Sequence, residues 1–368
     1  MTQKKRILVA SFDAWSSVCR LPRAINDAGF EVATFSREAD PINLSTFVLE
    51  RFLIKEKTHE DFIRTLKQAV QDFAPDFVLC ADESSLRIID YIAQELETKE
   101  PSAKALTKLL RFSRGDPRYR GQVANKSLLA QLAKRLGIKT PPQGTGQSKD
   151  ELLKLAKELG YPVVLKMPEG AAGAAVSICK NEKTLEHSYA EFKRPGQHLV
   201  LQKFIHGSTL MVNTMALGGR ILESVQWQKI KCHPESKGPS SVVKLIDQPE
   251  VNRLNRLFAA GTGASGLYSL DFQLDEEGEP HLLECNPRST PTSHLGNLSG
   301  RDLFVALHRE LCSEPTLPQA PLRELQVALF PKELQRDKTS HFLHEAHHDV
   351  PWDEPTIFKY MLNEVYGS

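Results

Sequence analysis

The chain of 368 residues has almost no net charge, with 47 Lys and Arg against 46 Asp and Glu. Without a basic excess there is no electrostatic case for binding nucleic acid or an anionic membrane. No apolar run approaches the roughly 18 residues that span a bilayer. The opening MTQKKRILVASFDAW also lacks the apolar core and small-residue cleavage site of a secretory signal. The six cysteines, at 19, 80, 179, 232, 285 and 312, include no C-x-x-C pair, which suggests neither a zinc site nor a disulfide framework. A reducing, cytoplasmic setting is the expectation. Internal repeats and low-complexity tracts are missing too. After the first strand stands SFDAWSS in place of G-x-G-x-x-G, which disfavours a dinucleotide site. With 40% apolar and 25% charged residues the composition is that of a soluble globular protein, long enough for two or three lobes with cores of their own. Small molecules become the expected partners.

To about Leu96, strand and helix patterns alternate. RILVAS is followed by a helix around Val18 to Ala28, EVATFS, a less regular FVLERFLI, a helix around Glu60 to Phe73, then DFVLCAD and SLRIIDYIAQEL. Phe62, Leu66, Val70 and Phe73 recur at helical spacing. The reading is an open, mostly parallel α/β sheet, expected over residues 1 to 104 and available as a substrate wall. Asn125 then caps a helix that begins at Lys126 and ends at Gly137. PPQGTG, a helix opened by the capping box Ser148-x-x-Glu151, YPVVLKM, the loop EGAAGAA, VSICKN, a helix near Glu182 to Phe192, and HLVLQKFI follow. Their order is β-α-β-β-α-β, a small split lobe placed at about 138 to 206. A second α+β lobe, about 207 to 317, holds LMVNTMAL, ILESVQWQKI, a helix near Glu250 to Ala260 and an acidic hairpin. Residues 318 to 368 are read as a C-terminal extension.

The hairpin is LDFQLDEEGEPHLLECNPR, Leu270 to Arg288. A two-residue turn at Glu277-Gly278 sets Asp271 directly opposite Glu284. Alternation puts Glu284 and Asn286 on the face of Asp271, with Phe272, Leu283 and Cys285 on the other. Facing carboxylates destabilise a sheet, so the trio is most simply explained by a hard cation such as Mg2+ that takes its remaining oxygens from water or phosphate. The alternative is a solvated acidic face. Cys285 is assigned to core packing rather than to nucleophilic catalysis. Elsewhere, Lys166 ends an apolar strand at the root of PEGAAGAAVS, where small residues allow backbone N–H groups to approach an anion. Lys126 places a second charge beside a helix N-terminus.

Together, NK at 125 to 126, YPVVLK at 161 to 166, the small-residue loop, LQKFIHG at 201 to 207, and SLDF with LLECNPR resemble the ordered signature of the ATP-grasp superfamily. The resemblance covers residues 105 to 312 or so, and the preceding lobe stands where a pre-ATP-grasp domain would. It implies ATP held between two α+β lobes, with Mg2+ or alternatively Mn2+, and a carboxylate activated as an acyl phosphate for attack by an amine or, less often, a thiol. Lys126 and Lys166 would hold the phosphates. The loop containing Glu169, Gly170, Ala171, Ala172 and Gly173 would close over them. Gln202, Lys203, Phe204 and Ile205 would form the hinge beside adenine, Thr209 would lie at the ribose, and Asp271, Glu284 and Asn286 would hold the metal. Arg288, with Lys166, would face the transferred or acyl phosphate. The sequence departs from the family pattern at Gln202 and Thr209, where acidic residues are common, and at Ser269, where dipeptide ligases carry arginine.

The basic segment with Lys229, Lys231, His233 and Lys237 is either a substrate-carboxylate site or a solvated loop. His294 is assigned a structural hydrogen bond. In the extension, VALF is read as a strand that adds to a sheet edge, and His344, His347 and His348 as part of a polar lid or surface tail rather than a metal cluster. The expected function is a ligase joining a small carboxylic acid to an amine, an amino acid by preference, with a homodimer as the expected assembly. The alternatives are thiol ligation, bicarbonate activation, and an ATP-binding regulatory protein without turnover.

Overall fold

The computed structural model describes residues 4–167, 176–235, 238–315 and 323–367. Strands β1 (Arg6–Ser11), β2 (Glu31–Arg37), β3 (Val48–Ile54) and β4 (Phe77–Cys80) form a parallel sheet in the order β3-β2-β1-β4. Strand β1 is apolar on both faces because both are covered, as in a sheet wrapped by crossover helices. Leu8 and Ala10 pack with Phe35, Leu66 and Ile89. Ile7 and Val9 pack instead with Met215, Trp227 and Val243 from later in the chain. The first lobe therefore shares a core with the large lobe, and each fully buried large apolar side chain there contributes about 1.5–3 kcal/mol.

FVLERFLI forms strand β3 and is less regular, as expected, with a shift in its register against β2 at Leu49. It lies at the sheet edge with Leu49 60% exposed, which blurs its alternation. The helix expected around Val18 to Ala28 is a 3-10 turn, Ser16–Arg20, followed by a short helix, Leu21–Asp27, with Pro22 in its first turn. SFDAWSS is held from below by Asp82, which caps the helix Glu83–Lys99 and also accepts from Phe12 N (2.6 Å) and Asp13 N (3.0 Å). That grip fixes where Trp15 and the following turn point.

The split lobe forms as its pattern implies. Strands β5 (Gln143–Gly146), β6 (Val163–Lys166), β7 (Val176–Cys179) and β8 (Leu199–Lys203) give the order β5-β8-β6-β7. Leu152, Ala156, Val163, Leu165, Leu185, Leu199 and Leu201 fill its core. The Ser148–Glu151 capping box is present. Asn125 caps the helix Lys126–Arg135 by accepting from Ser127 N (3.0 Å) and Leu128 N (3.2 Å).

The largest sheet contains β9 (Ser208–Leu217), β10 (Arg220–Cys232), β11 (Ser240–Ile246), β12 (Gly266–Leu274), β13 (Pro280–Asn286), β14 (Gln326–Ala328) and β15 (His347–His348), in the order β13-β12-β9-β10-β11-β14-β15. The strand expected at VALF does join a sheet edge, pairing antiparallel with β11. The residues after it are not a surface tail. His347 and His348 pair parallel with β14, and Ile357 and Met361 of the helix Pro355–Tyr366 bury against Cys19 of the first lobe. Among the described residues, the trio of His, Cys and carboxylate atoms close enough to share an ion is His308, Cys312 and Glu314, none of them in the 344–348 stretch. No helix among the described residues is long and apolar enough to cross a membrane.

The acidic hairpin reaches its expected register by a different route. The loop is Glu276 to Gly278, closed by Asp275 N donating to Glu279 O (3.0 Å), with Gly278 at φ +82°. It is thus one residue longer than a Glu277-Gly278 turn. A bulge at Leu283 compensates, since Asp271 pairs with Glu284 while Phe272 pairs with Leu282. Bulges redirect side chains, and Leu283 lines the cavity described below instead of pointing away from it. Phe272 and Cys285 enter the core as expected.

Candidate active site

A cavity of about 560 Å3 is bordered by the first lobe, both α+β lobes and the C-terminal segment. Lys126, Lys166, Gln202, Lys203, Phe204, Ile205, Thr209, Asp271, Glu284, Asn286 and Arg288 all line it. Glu169, Gly170, Ala171, Ala172 and Gly173 lie outside the described residues.

Strand β6 is buried throughout, so its last side chain, Lys166, is carried into the cavity with 7% exposure. Its Nζ donates to Gln202 Oε1 (2.7 Å), and Gln202 Nε2 donates to Gln143 Oε1 (2.6 Å). A carboxylate at position 202 would instead form a buried ion pair with this lysine. Gln202 leaves the ammonium charge unneutralised on that side. Burial pushes the Lys166 ammonium down to about 8, with the charge of Glu284 opposing the shift and that of Lys126 adding to it. Thr209 Oγ1 donates to Gln273 Oε1 (3.0 Å), and both residues line the cavity.

Asp271 and Glu284 face each other across β12 and β13. Enclosure and then the charge of Glu284 raise the Asp271 carboxyl well above the usual range, with Lys229 and Arg288 opposing. Glu284 is pushed up by enclosure as well, but Lys126 and Lys166 outweigh this and hold it low. Asn286 Nδ2 donates to Glu284 Oε1 (3.3 Å). Two opposed carboxylates and an amide, flanked by ammonium groups, are an all-oxygen donor set that fits a hard divalent cation bound together with phosphate. Such a cation would relieve the repulsion that raises Asp271.

Arg288 follows directly from β13 and is 7% exposed. Its Nε and Nη2 donate to Glu83 Oε1 (2.8 and 2.5 Å), its Nη1 to Ser289 O (2.6 Å), and its Nη2 also to Asn286 Oδ1 (3.1 Å). The Trp15 ring lies 4.7 Å from the guanidinium carbon. Glu83 opens the helix after Asp82, so the first lobe holds this arginine in place. Sequence reasoning missed Glu83, Trp15, Gln273 and Asp349. The first is 205 positions from its partner, and no local pattern signals it. The basic segment splits in two. Lys229, on β10, enters the cavity, Lys231 is exposed, and Lys237 is outside the described residues.

Residues 123–292 match the family model of the ATP-grasp domain. The C-terminal section of the carbamoyl phosphate synthase large chain of Aquifex aeolicus (strain VF5) is 29% identical over 181 residues, which are 46% of this chain and 33% of that protein. The chain thus covers well under two thirds of that relative. Among solved structures, the biotin carboxylase domain dimer of Hydrogenobacter thermophilus 2-oxoglutarate carboxylase, in complex with MgADP, ADP and bicarbonate, superimposes with a TM-score of 0.64 at 19% identity over 88% of this chain and 73% of that one. An L-amino acid ligase from Bacillus licheniformis gives a TM-score of 0.62 at 18% identity, covering 88% of this chain and 80% of that one. The domain match encloses Lys126, Lys166, the hinge and the facing carboxylates, so residues 123–292 form an ATP-grasp domain, and the fold shared with the solved structures extends to either side of it.

Proposed function

We propose that the protein is an ATP- and Mg2+-dependent ligase that joins a small carboxylic acid to an amine through an acyl phosphate. The observation that carries this reading is the pairing of Asp271 with Glu284, with Lys126 and Lys166 set against them at one end of the cavity. In it, Lys126 and Lys166 bind the ATP phosphates, Phe204 and Ile205 flank adenine, and Thr209 with Gln273 meets the ribose. Asp271, Glu284 and Asn286 hold Mg2+, which supplies positive charge to the phosphates when bound. An oxygen of the acid attacks the γ-phosphorus and ADP departs. The amine nitrogen then attacks the acyl carbon and phosphate leaves with the bonding electrons. Such chemistry is mainly positioning and electrostatics, and the preset lysines and Arg288 supply both.

Bicarbonate as the activated acid is the second reading, supported by the carbamoyl phosphate synthase relative and the bicarbonate-bound carboxylase domain. Product mass separates the two. The test is ADP and phosphate release with Mg-ATP against pooled acids, bicarbonate and amino acids. If Asp271→Asn and Lys166→Ala leave product formation unchanged, the mechanism is wrong.

A further inference from the structure

The ligase reading uses one end of the cavity and leaves the other without a role. At that second end Arg20 Nη2 donates to Asp349 Oδ1 (2.7 Å), and His294 Nε2 lies 2.8 Å from Asp349 Oδ2. All three residues line the cavity. They come from three distant segments, the 3-10 turn Ser16–Arg20, the loop after β13 and the residue following β15. Their side chains are only 15%, 7% and 5% exposed for Arg20, His294 and Asp349.

A carboxylate only accepts, so His294 Nε2 carries the hydrogen, and Nδ1 of the neutral ring is left with a lone pair. Arg20 Nη1 and His294 Nδ1 are buried with no hydrogen-bond partner among the described residues. Buried polar atoms are almost always satisfied. Here one donor and one acceptor, anchored on the same carboxylate, are both unspent. The other charged groups bordering this end are Arg288, neutralised by Glu83, and Lys332 and Glu364 of the C-terminal segment. Lys332 Nζ donates to Gln335 Oε1 (3.0 Å), and Glu364 accepts from Ser16 Oγ (3.1 Å). A molecule that completes the pair carries an acid group for Arg20 and an N–H for His294.

We propose that this end is the acceptor subsite, that the acceptor is an α-amino acid, and that Arg20 and His294 read its two groups. Arg20 binds the carboxylate in a charge-assisted hydrogen bond. His294 Nδ1 accepts from the amine, which reacts as the free base. As the nitrogen lone pair forms the bond to the acyl carbon, the carbon–oxygen bond to phosphate breaks and phosphate leaves with that electron pair. The one proton released from nitrogen passes to His294 Nδ1. Asp349, which orients both residues and faces the resulting imidazolium, is a positioning residue.

The inference rests on the ligase reading, and hydroxylamine separates the two. With Mg-ATP and the acid panel, hydroxylamine traps an acyl phosphate as a hydroxamate without an acceptor subsite. No hydroxamate with any acid overturns both proposals. Given hydroxamate, the standard amino acids are compared with their decarboxylated amines, alanine against ethylamine for example. The expected result is a preference for the amino acid of about tenfold or more, the worth of one charge-assisted contact. In Arg20→Gln the rate with amino acid relative to that with hydroxylamine falls by a similar factor through KM, and Arg20→Lys restores part of it. In His294→Gln the fall is in kcat. Retained thermal stabilisation by Mg-ATP shows that each variant is folded. Equal use of amines and amino acids by the wild-type protein, or an unchanged ratio in folded Arg20→Gln, overturns the proposal.

Discussion

The two ends of the cavity are built differently. Lys126, Lys166, Gln202, Asp271 and Glu284 come from one stretch of chain that folds as two adjoining lobes, and each is set by its own local element: a capped helix, the last residue of a buried strand, a hinge, a hairpin. Trp15, Arg20, His294 and Asp349 meet only because the first lobe shares its core with the large lobe and the C-terminal segment returns to add strands to the same sheet. The residues proposed to handle ATP are thus set by local elements, while those proposed to read the acceptor are brought together by long-range packing.

Substitutions that separate the two ends sharpen this contrast. The largest effect is expected at the carboxylates. Asp271→Asn or Glu284→Gln should lower product formation by about a thousandfold, because charge stabilisation of the transferring phosphoryl group is worth several kcal/mol. Lys166→Ala should cost about a hundredfold or more. Both are read as acid-dependent ADP release. Next comes Glu83→Gln, which leaves Arg288 buried without its counter-charge. A drop of about tenfold in kcat is expected, with the thermal shift from Mg-ATP retained, since Glu83 holds the arginine and not the nucleotide. Loss of the thermal shift as well would show that the first lobe orders the nucleotide end too.

A pH experiment that compares wild type with Lys166→Met isolates the contribution of Lys166. Its ammonium is depressed to about 8 from an ordinary 10.5, so the folded protein binds fewer protons than the unfolded chain between those values. The nucleotide-free protein should therefore gain stability from this group as pH rises through that window. Binding of Mg-ADP should weaken over the same range as the charge is lost. Melting curves with and without Mg-ADP report both trends, and Lys166→Met should flatten both. The smallest effect is at the hairpin tip, where Gly278 has φ +82° and a Cβ would meet nothing within 4 Å. Gly278→Ala should cost about 1 kcal/mol through backbone strain alone, seen as a lowered Tm with unchanged ADP release.

The legible parts of the molecule were those with short-range signatures. The capping box at Ser148, the cap at Asn125, the helical spacing of Phe62 to Phe73 and the β-α-β-β-α-β order each follow from neighbours a few residues apart, and each appears in the fold. The hairpin keeps the expected register although its turn differs, because a longer loop and a bulge at Leu283 cancel. Periodicity carries no sign of a bulge, so strict alternation places Leu283 on the opposite face from the one it occupies. The Arg288–Glu83 pair and the Asp349 cluster had no signature, since only the tertiary fold brings those segments together. The histidines at 347 and 348 suggested a polar surface because their composition is polar, yet they lie in an added strand whose backbone, not side chains, does the pairing.

The central claim is that the facing carboxylates serve ATP-driven activation of an acid. The most direct measurement is phosphate release from Mg-ATP with pooled small acids and amino acids, comparing wild type with Glu284→Gln. Release that depends on an added acid and disappears in the variant is the expected result. No acid-dependent release, while Mg-ATP still raises the melting temperature, would contradict it and leave a nucleotide-binding protein without turnover.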